Sequence, residues 1–330
     1  MMNSLPNLFI IINDGFRWQE VFRGPDEKII NDPRFTPDVL GLQSLYWASS
    51  KEERRKKLLP FLWDVVSKQG HLFGDRDMNS KVNVANWYSI SYAGYNEIFT
   101  GTTDIFITHN ARKYNKNKNV LEWLQQKPAF RNKIAVFSSW DCFPFILNDK
   151  RNGLLINRGV EVIPEHKVKV EHREKIYQSE DTHQDALTFH CAMKYITQHH
   201  PRIVVIVFGE GDVVAHRKRY DLYLQKAHEA DMMMSELWNF VQTTEGYKNN
   251  TNFLITTDHG RGNNEKNWHD HGFFINGSSQ TWFALIGPQL HLIKDQISKK
   301  QFYNKEFASI IAKLLGDEFK SKNLFRDPIT

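Results

Sequence analysis

Three short apolar runs that each lead into an aspartate constrain the fold of this chain more than any other feature. They span residues 8–13, 202–208 and 253–257, and they are followed within four residues by Asp14, Asp212 and Asp258. Apolar runs of this length are typical of strands buried inside a sheet. Because ligand crevices in open α/β sheets form at the carboxyl ends of the strands, we expect the three carboxylates to border one crevice.

Apolar residues at helical spacing alternate with these runs along the chain. The pattern predicts helices at residues 51–68, 120–126, 182–199, 220–241 and 305–315, and further strands at 133–139 and 281–286. Strands alternating with helices predict an α/β fold, a doubly wound and mostly parallel sheet with helices on both faces. We expect residues 1–330 to form a single domain, with a small cap insertion at about residues 140–180, where the sequence is poorly patterned.

Composition excludes several classes of function. The net charge of +5 is modest, and the densest basic run, residues 51–57, contains an acidic pair, so a nucleic-acid polymer is not indicated as a partner. Two cysteines cannot build a disulfide framework, and no apolar window is long enough to predict a membrane span. The start of the chain lacks a leader pattern, so we expect a cytoplasmic location, or a periplasmic or secreted one if a leader has been removed. The oligomeric state is not indicated.

Imidazoles accompany the aspartates at the strand ends. His259 follows Asp258 directly, His216 lies four residues after Asp212, and His271 follows across a polar loop. Oxygen and nitrogen ligands together suit Zn²⁺ or Mn²⁺, and six such side chains suit two ions with open positions for a substrate. A Thr-Asp-His-Gly sequence alone also fits a turn that caps a strand, but the recurrence at three strand ends favours metal binding.

Ser91 occupies the junction between an extended segment and a predicted helix that Gly101 ends. Free backbone N–H groups and the helix dipole favour an anion at such a junction. A serine at this position also serves as an ordinary N-cap, and both interpretations stay open. The Asn-rich residues 102–118 that follow are expected to form a loop at the edge of the same crevice.

The order of these motifs resembles the alkaline phosphatase superfamily. The shared order is Asp-Gly after the first strand, a serine followed by an aromatic residue and a Thr-Gly helix end, then D-x-x-x-H, D-H-G and a later H-G. Within the superfamily the sequence is most similar to the nucleotide pyrophosphatase/phosphodiesterase-like branch. The resemblance spans residues 14–271.

The resemblance implies a two-metal site and a serine nucleophile. One ion would be held by Asp212, His216 and His271, and the other by Asp14, Asp258 and His259, with Ser91 as a further ligand. The ions are expected to be Zn²⁺, with Mn²⁺ as the alternative. Ser91 would attack phosphorus and form a phosphoseryl intermediate.

Two further residues are implied to bind the substrate, a small-molecule phosphate ester. Asn110 would contact a phosphoryl oxygen, with Asn115 and Asn117 as nearby alternatives. Tyr92 would stack on the leaving group, or else it packs in the core.

Departures from related patterns narrow the expected function. The serine is not followed by the x-Pro-x-Arg of formylglycine sulfatases, and the chain has little room for the inserted domain of cofactor-independent phosphoglycerate mutases. No equivalent of the arginine that binds monoesters in classical alkaline phosphatases is identified, which favours phosphodiesters. The alternatives are a phosphomonoesterase of the same superfamily and a catalytically silent metal- or phosphate-binding protein.

Overall fold

The computed structural model describes residues 5–157 and 182–321. Its strands are β1 Asn7–Asn13, β2 His71–Phe73, β3 Lys81–Asn83, β4 Ile134–Ser138, β5 Leu155–Asn157, β6 Ile203–Phe208, β7 Thr251–Thr256, β8 Gln280–Thr281, β9 Phe283–Ile286 and β10 Gln301–Tyr303. Its helices are α1 Trp18–Arg23, α2 Glu27–Ile30, α3 Val39–Tyr46, α4 Lys51–Leu58, α5 Ser67–Gln69, α6 Ser91–Thr100, α7 Val120–Gln125, α8 Phe143–Leu147, α9 Asp149–Asn152, α10 Asp185–His199, α11 Glu210–His216, α12 Tyr220–Thr243, α13 Lys294–Ile297 and α14 Phe307–Leu314. None of these helices is both long and apolar enough to cross a membrane.

Seven strands form the main sheet in the order β2-β9-β7-β1-β6-β4-β5. Strands β7, β1, β6, β4 and β5 are parallel, whereas β9 runs antiparallel to β7 and β2 antiparallel to β9. The predicted mostly parallel α/β sheet is therefore confirmed. The predicted strand at 281–286 is divided at Trp282, because β8 pairs with β3 in a separate three-stranded sheet.

Both faces of the main sheet are covered, as its apolar strands require. Phe9 and Ile11 of β1 belong to a core that includes side chains of α10 and α12, whereas Leu8 and Ile10 belong to a second core with side chains of α6 and α14. Every residue of β1, β6 and β7 is buried. Continuous apolar runs rather than alternating ones are expected where helices cover both faces of a sheet.

The predicted helix at residues 51–68 is wrong as a single element. Helix α4 ends at Leu58, and a turn of π-helix follows at Leu62–Val66 before α5. Pro60 has no N–H to donate and disfavours helical geometry at Leu59, which adopts φ −131° and ψ 66°. The buried Asp231 carboxylate accepts hydrogen bonds from the backbone N–H groups of Phe61 (2.7 Å) and Leu62 (3.0 Å). The Asp231 side chain therefore satisfies the backbone N–H groups of the two residues that follow the break in the helix.

The expected cap begins with ordered structure that belongs to the main domain. Residues 140–157 contain α8, α9 and β5, and β5 extends the sheet beside β4. An antiparallel bridge joins Trp140 to Thr182. Residues 158–180 of the expected cap lie outside the described residues, so the cap stays a prediction.

Candidate active site

The carboxyl ends of the adjacent strands β7, β1 and β6 bring the three aspartates together. Nε2 of His259 lies 3.5 Å from Asp14 Oδ1, 3.5 Å from Asp258 Oδ2 and 4.0 Å from Asp212 Oδ1. His271 Nε2 lies 3.8 Å from Asp212 Oδ1. Asp14 directly follows β1 and Asp258 lies two residues after the end of β7, whereas Asp212 lies in the first turn of α11.

Two triads in this cluster have ligand atoms within 4.8 Å of one another, namely Asp212, His259 and His271, and Asp14, Asp258 and His259. His259 belongs to both, so the cluster is continuous. His216 adjoins it, with Nε2 3.1 Å from His271 Nε2 and 3.3 Å from Asp212 Oδ2. The structure thus gathers all six side chains of the predicted ligand set. It does not separate them into the two expected groups of three.

Backbone carbonyls orient two of the imidazoles. His259 Nδ1 lies 2.9 Å from the carbonyl oxygen of Gly260, and His271 Nδ1 lies 2.9 Å from that of Ser89. Since a carbonyl can only accept, each Nδ1 carries the proton, and each Nε2 presents its lone pair to the cluster. Burial lowers the pKa of both rings, and neighbouring imidazoles lower that of His271 further. Neutral imidazoles are the form that binds a metal.

Two of the three clustered aspartates, Asp14 and Asp258, are buried. Burial raises the pKa of Asp14 to about 7, with the Asp258 carboxylate as the second cause, and burial raises the pKa of Asp258 to about 7. Asp258 Oδ1 accepts from the Gly15 N–H at 3.0 Å. Its Oδ2 is buried and has no hydrogen-bond partner within the described part of the chain. An unpartnered carboxylate oxygen beside imidazole lone pairs fits a divalent cation.

Ser91 is the first residue of α6 and lies beside this cluster. Its Oγ is 3.2 Å from His259 Nε2 and 3.5 Å from Asp14 Oδ1. The N-cap position belongs to Ile90, and no side chain caps the helix. An ordinary capping role therefore does not describe Ser91, whose hydroxyl is buried among carboxylate and imidazole groups.

The position of α6 depends on a close approach of its backbone to β7. A Cβ atom at Gly94 would lie 2.3 Å from the Asp258 carbonyl oxygen, so only glycine permits this contact. One turn further along the helix, the buried Glu97 carboxylate accepts from the Ala85 N–H at 2.9 Å and from Asn86 Nδ2 at 2.7 Å. These contacts fix the helix between the metal-ligand candidates and the segment that precedes it.

Ser91 borders a cavity of about 310 Å³. The cavity is lined by Asp14, Ser91, Asn110, Trp140, Thr182, Gly209, Asp212, Val213, His216 and Arg217. Asn110 Oδ1 accepts from the Tyr92 N–H at 3.0 Å, which directs the amide nitrogen to act as the donor for a ligand. Asn115 and Asn117 instead donate to Asn96 Oδ1 at 3.0 and 3.1 Å in a buried network. The cavity therefore favours Asn110 among the three asparagines.

Tyr92 is not among the residues that line this cavity within the described chain. Its ring is buried, and its hydroxyl donates to the carbonyl oxygens of Lys113 (2.6 Å) and Phe145 (3.1 Å). It borders instead a neighbouring groove of about 670 Å³ beside the loop at residues 104–117. Asn110 therefore lines the same cavity as Ser91, whereas Tyr92 lies in the wall of the neighbouring groove.

Arg261 is a site residue that the sequence analysis missed. Its fully buried guanidinium binds the Asp212 carboxylate and donates to the carbonyl oxygens of Gly15 (3.0 Å) and His269 (2.6 Å). One side chain therefore connects the three loops that follow β1, β6 and β7. Its position two residues after His259 was the available signal, but the contact with Asp212 depends on tertiary packing.

Two other contacts at the site were also missed. The buried Tyr95 hydroxyl donates to Asp14 Oδ2 at 2.9 Å, and the available signal was its position four residues after Ser91, on the same face of α6. Asp185 accepts from the Gly209 N–H at 2.8 Å and from the Glu210 N–H at 3.1 Å. This carboxylate fixes the turn that leads from β6 to Asp212.

Comparison with known proteins agrees with this architecture. The sequence pattern of type I phosphodiesterase / nucleotide pyrophosphatase matches residues 42–283, well over half of the chain. None of the curated proteins matches the chain.

Several solved structures have a similar fold. A protein in the alkaline phosphatase superfamily from Vibrio parahaemolyticus has a TM-score of 0.54 and 10% identity, over 97% of this chain and 68% of that one. The lipoteichoic acid synthase LtaP from Listeria monocytogenes has a TM-score of 0.59 and 12% identity, over 96% and 73%. The C-terminal periplasmic domain of EcEptC from Escherichia coli, in complex with Zn, has a TM-score of 0.57 and 12% identity, over 95% and 83%.

Sulfatases share the fold as well. Identities this low show the fold alone, whereas the family pattern covers most of the sequence. The chain therefore belongs to the type I phosphodiesterase / nucleotide pyrophosphatase family, within the fold of the alkaline phosphatase superfamily.

Proposed function

We propose that this protein hydrolyses small phosphoric esters with Ser91 as the nucleophile and two divalent metal ions, Zn²⁺ or alternatively Mn²⁺, as cofactors. The observation that carries the proposal is the position of Ser91 Oγ, 3.2 Å from His259 Nε2 and on the wall of the cavity that Asn110 also lines. A hydroxyl at a helix N-terminus is well placed to meet an anionic phosphate, because free backbone N–H groups and the helix dipole point toward it.

The side chains that would hold the ions are those already described. Asp212, His216 and His271 would hold one ion, and Asp14, Asp258, His259 and Ser91 the other. Asp258 Oδ2, which has no hydrogen-bond partner within the described residues, and the Nε2 lone pairs of His259 and His271 support metal binding by this cluster. When bound, the ions would supply positive charge near the serine hydroxyl and the phosphoryl oxygens.

The protein groups then perform the two halves of the reaction. A bond forms between Ser91 Oγ and phosphorus while the bond from phosphorus to the leaving oxygen breaks, and the proton lost from the Ser91 hydroxyl balances the one that the departing alcohol gains. Water later cleaves the phosphoserine, which releases the phosphate product and restores the hydroxyl. The Asn110 amide nitrogen donates to a phosphoryl oxygen, since its amide oxygen is already bonded to the Tyr92 N–H. Trp140 and Thr182 line the same cavity.

Replacement of Ser91 tests the covalent step. We expect Ser91→Ala to lower turnover of a p-nitrophenyl ester by several powers of ten, because the nucleophile is lost and not merely a contact. Bound zinc or manganese, measured by elemental analysis, should change little, since six ligands remain. Ser44→Ala, a change of an exposed serine whose hydroxyl binds Gly41, is the matched control.

Two outcomes would contradict the proposal. Near-normal turnover in Ser91→Ala would exclude the phosphoseryl intermediate. Less than about one equivalent of metal in the wild-type protein, after growth with both metals, would favour a catalytically silent binding protein over a two-metal enzyme.

Substrate preference distinguishes the two ester classes. We expect a diester to be hydrolysed faster than a monoester, because two cations that could bind the dianion of a monoester have other positions. Arg112 pairs with Asp141 at 2.7 Å, and Lys113 borders the neighbouring groove. The position of Arg217 favours the second candidate function, a phosphomonoesterase, because this arginine lines the same cavity as Ser91. Comparison of kcat/KM for bis-p-nitrophenyl phosphate and p-nitrophenyl phosphate decides between them. A clear preference for the monoester that Arg217→Met removes would establish the second candidate.

A further inference from the structure

Five exposed apolar side chains lie on three segments that adjoin the candidate active site. We name them the aromatic rim, which consists of Trp87, Ile105, Phe106, Phe273 and Phe274. The most exposed members are Phe274 (91% exposed), Trp87 (71%) and Phe106 (67%), and Phe106 borders the groove beside the active-site cavity. Single exposed apolar side chains are common, but a group of large ones on neighbouring segments is typical of a surface that binds something.

The three segments that carry the rim are joined to one another and to the site. His271 Nδ1 donates to the Ser89 carbonyl, which connects the segment of Trp87 to that of Phe273. The Tyr88 hydroxyl donates to the Ile105 carbonyl at 2.8 Å, which connects it to the loop. The rings of Phe273 and Phe274 contact each other with centroids 4.8 Å apart. Hydrogen bonds therefore hold the three segments of the rim together, and its member Phe273 lies two residues after the metal-ligand candidate His271.

Positive charge accompanies the rim. The loop at residues 103–118 exposes Arg112, Lys113, Lys116 and Lys118, against one carboxylate, Asp104, which accepts from Asn117 Nδ2 at 2.8 Å. Arg112 pairs with Asp141, so the lysines provide the remaining charge.

We propose that the aromatic rim and the lysines of this loop dock the protein on an anionic lipid surface, with the groove that Phe106, Lys113 and Lys116 border at the level of the headgroups. Aromatic side chains insert at the boundary between headgroups and acyl chains, and each lysine near an anionic leaflet adds attraction. A second copy of this chain fits less well, because a symmetric contact would bring the same lysines together.

Vesicle sedimentation tests the proposal. The 330-residue protein is mixed with vesicles of phosphatidylcholine alone or of phosphatidylcholine with phosphatidylglycerol, and the bound fraction is measured at low and high NaCl. We expect at least about tenfold stronger binding to the anionic vesicles, and weaker binding at high salt. The double variant Trp87→Ser/Phe274→Ser should lower binding by about tenfold or more. Lys113→Gln/Lys116→Gln should remove most of the preference for phosphatidylglycerol.

The controls separate docking from folding and from catalysis. Met232→Ser alters an exposed apolar side chain on α12, outside the rim, and should leave binding unchanged. The rim variants should keep the wild-type melting temperature because their side chains are exposed. Sedimentation counts bound protein, so failure of the proposed hydrolysis would not alter its result. Absence of binding to anionic vesicles, or equal binding by the double variant, would overturn the proposal. So would a wild-type dimer that the double variant dissociates, because the rim would then be a contact between copies.

Discussion

At the scale of single residues, the buried guanidinium of Arg261 connects Asp212 to the segments that follow β1 and β7. It binds Asp212 and satisfies two carbonyl oxygens on separate loops. A lysine has one ammonium group and cannot reach all three acceptors at once. The orientation of Asp212 therefore depends on a side chain that would not itself hold a metal ion.

Substitution of Arg261 should affect both stability and metal binding. We expect Arg261→Met to destabilise the protein by roughly 3 to 5 kcal/mol, because the partly buried Asp212 carboxylate loses its charged partner and two carbonyl oxygens lose a donor. We also expect metal affinity, measured by competition with a chelator, to fall about 10- to 100-fold, as for other groups that orient a ligand. Arg34→Met is the control, because its pair with Asp32 is exposed and should barely alter the melting temperature. Unchanged metal affinity in a folded Arg261→Met protein would contradict the positioning role.

At the scale of elements, the contact between α6 and the end of β7 positions Ser91. This contact is possible because Gly94 has no side chain. The helix ends at Gly101, whose φ of 73° suits glycine, so α6 has a fixed start and a fixed end. A displacement of the helix would move Ser91 relative to Asp14 and His259.

A methyl group at Gly94 tests this dependence. We expect Gly94→Ala to destabilise the protein by about 1 to 3 kcal/mol and to lower turnover more than substrate affinity, because the added Cβ would meet the Asp258 backbone at 2.3 Å. The control is Gly211→Ala in α11, where the nearest atom to an added Cβ, the Asp14 carbonyl oxygen, lies 3.8 Å away. Equal effects of the two substitutions would show that helix propensity, and not the close contact, sets the outcome.

Sequence patterns predict such elements where the signal is local. Apolar runs and their terminal aspartates sufficed for β1, β6 and β7, because parallel strands bring their carboxyl ends to one edge. Pro60, which has no N–H to donate, was a local signal for the break in the predicted helix at residues 51–68. Asp231, which accepts from the Phe61 N–H at this break, lies far along the chain and gave no local signal. The sequence shows that Tyr92 is an aromatic residue next to Ser91. It could not show that Tyr92 borders the neighbouring groove instead of the cavity that Ser91 lines. Contacts between distant loops, such as Arg261 with Asp212, have no local signature.

At the scale of the whole molecule, stability should depend on the ionisation of buried carboxyl groups. Asp231 is fully buried, and burial raises its pKa to about 7, whereas an unfolded chain has an aspartate pKa of about 3.9. The protonated group therefore stabilises the fold fully below pH about 4. This contribution is lost as the pH rises through about 7.

Comparison with Asp231→Asn isolates this group, because every other titrating residue is common to both proteins. We expect the variant to be less stable than the wild type near pH 4, since the amide accepts less well from the Phe61 and Leu62 N–H groups. The difference in free energy of unfolding should narrow by about 1 kcal/mol or more between pH 4 and 8. Urea unfolding of both proteins at several pH values across this range measures the difference in free energy of unfolding. A difference that stays constant with pH would contradict the raised pKa.

The main sheet described above has short strands at both of its edges. Within the described residues, β2 and β5 span three residues each, whereas the central strands β1, β6 and β7 have six or seven. A foreign strand that added to the β2 edge would gain few hydrogen bonds, so aggregation through that edge is disfavoured. The long apolar strands that place the catalytic candidates lie inside the sheet, away from that edge, and they meet the solvent-facing site at their carboxyl ends.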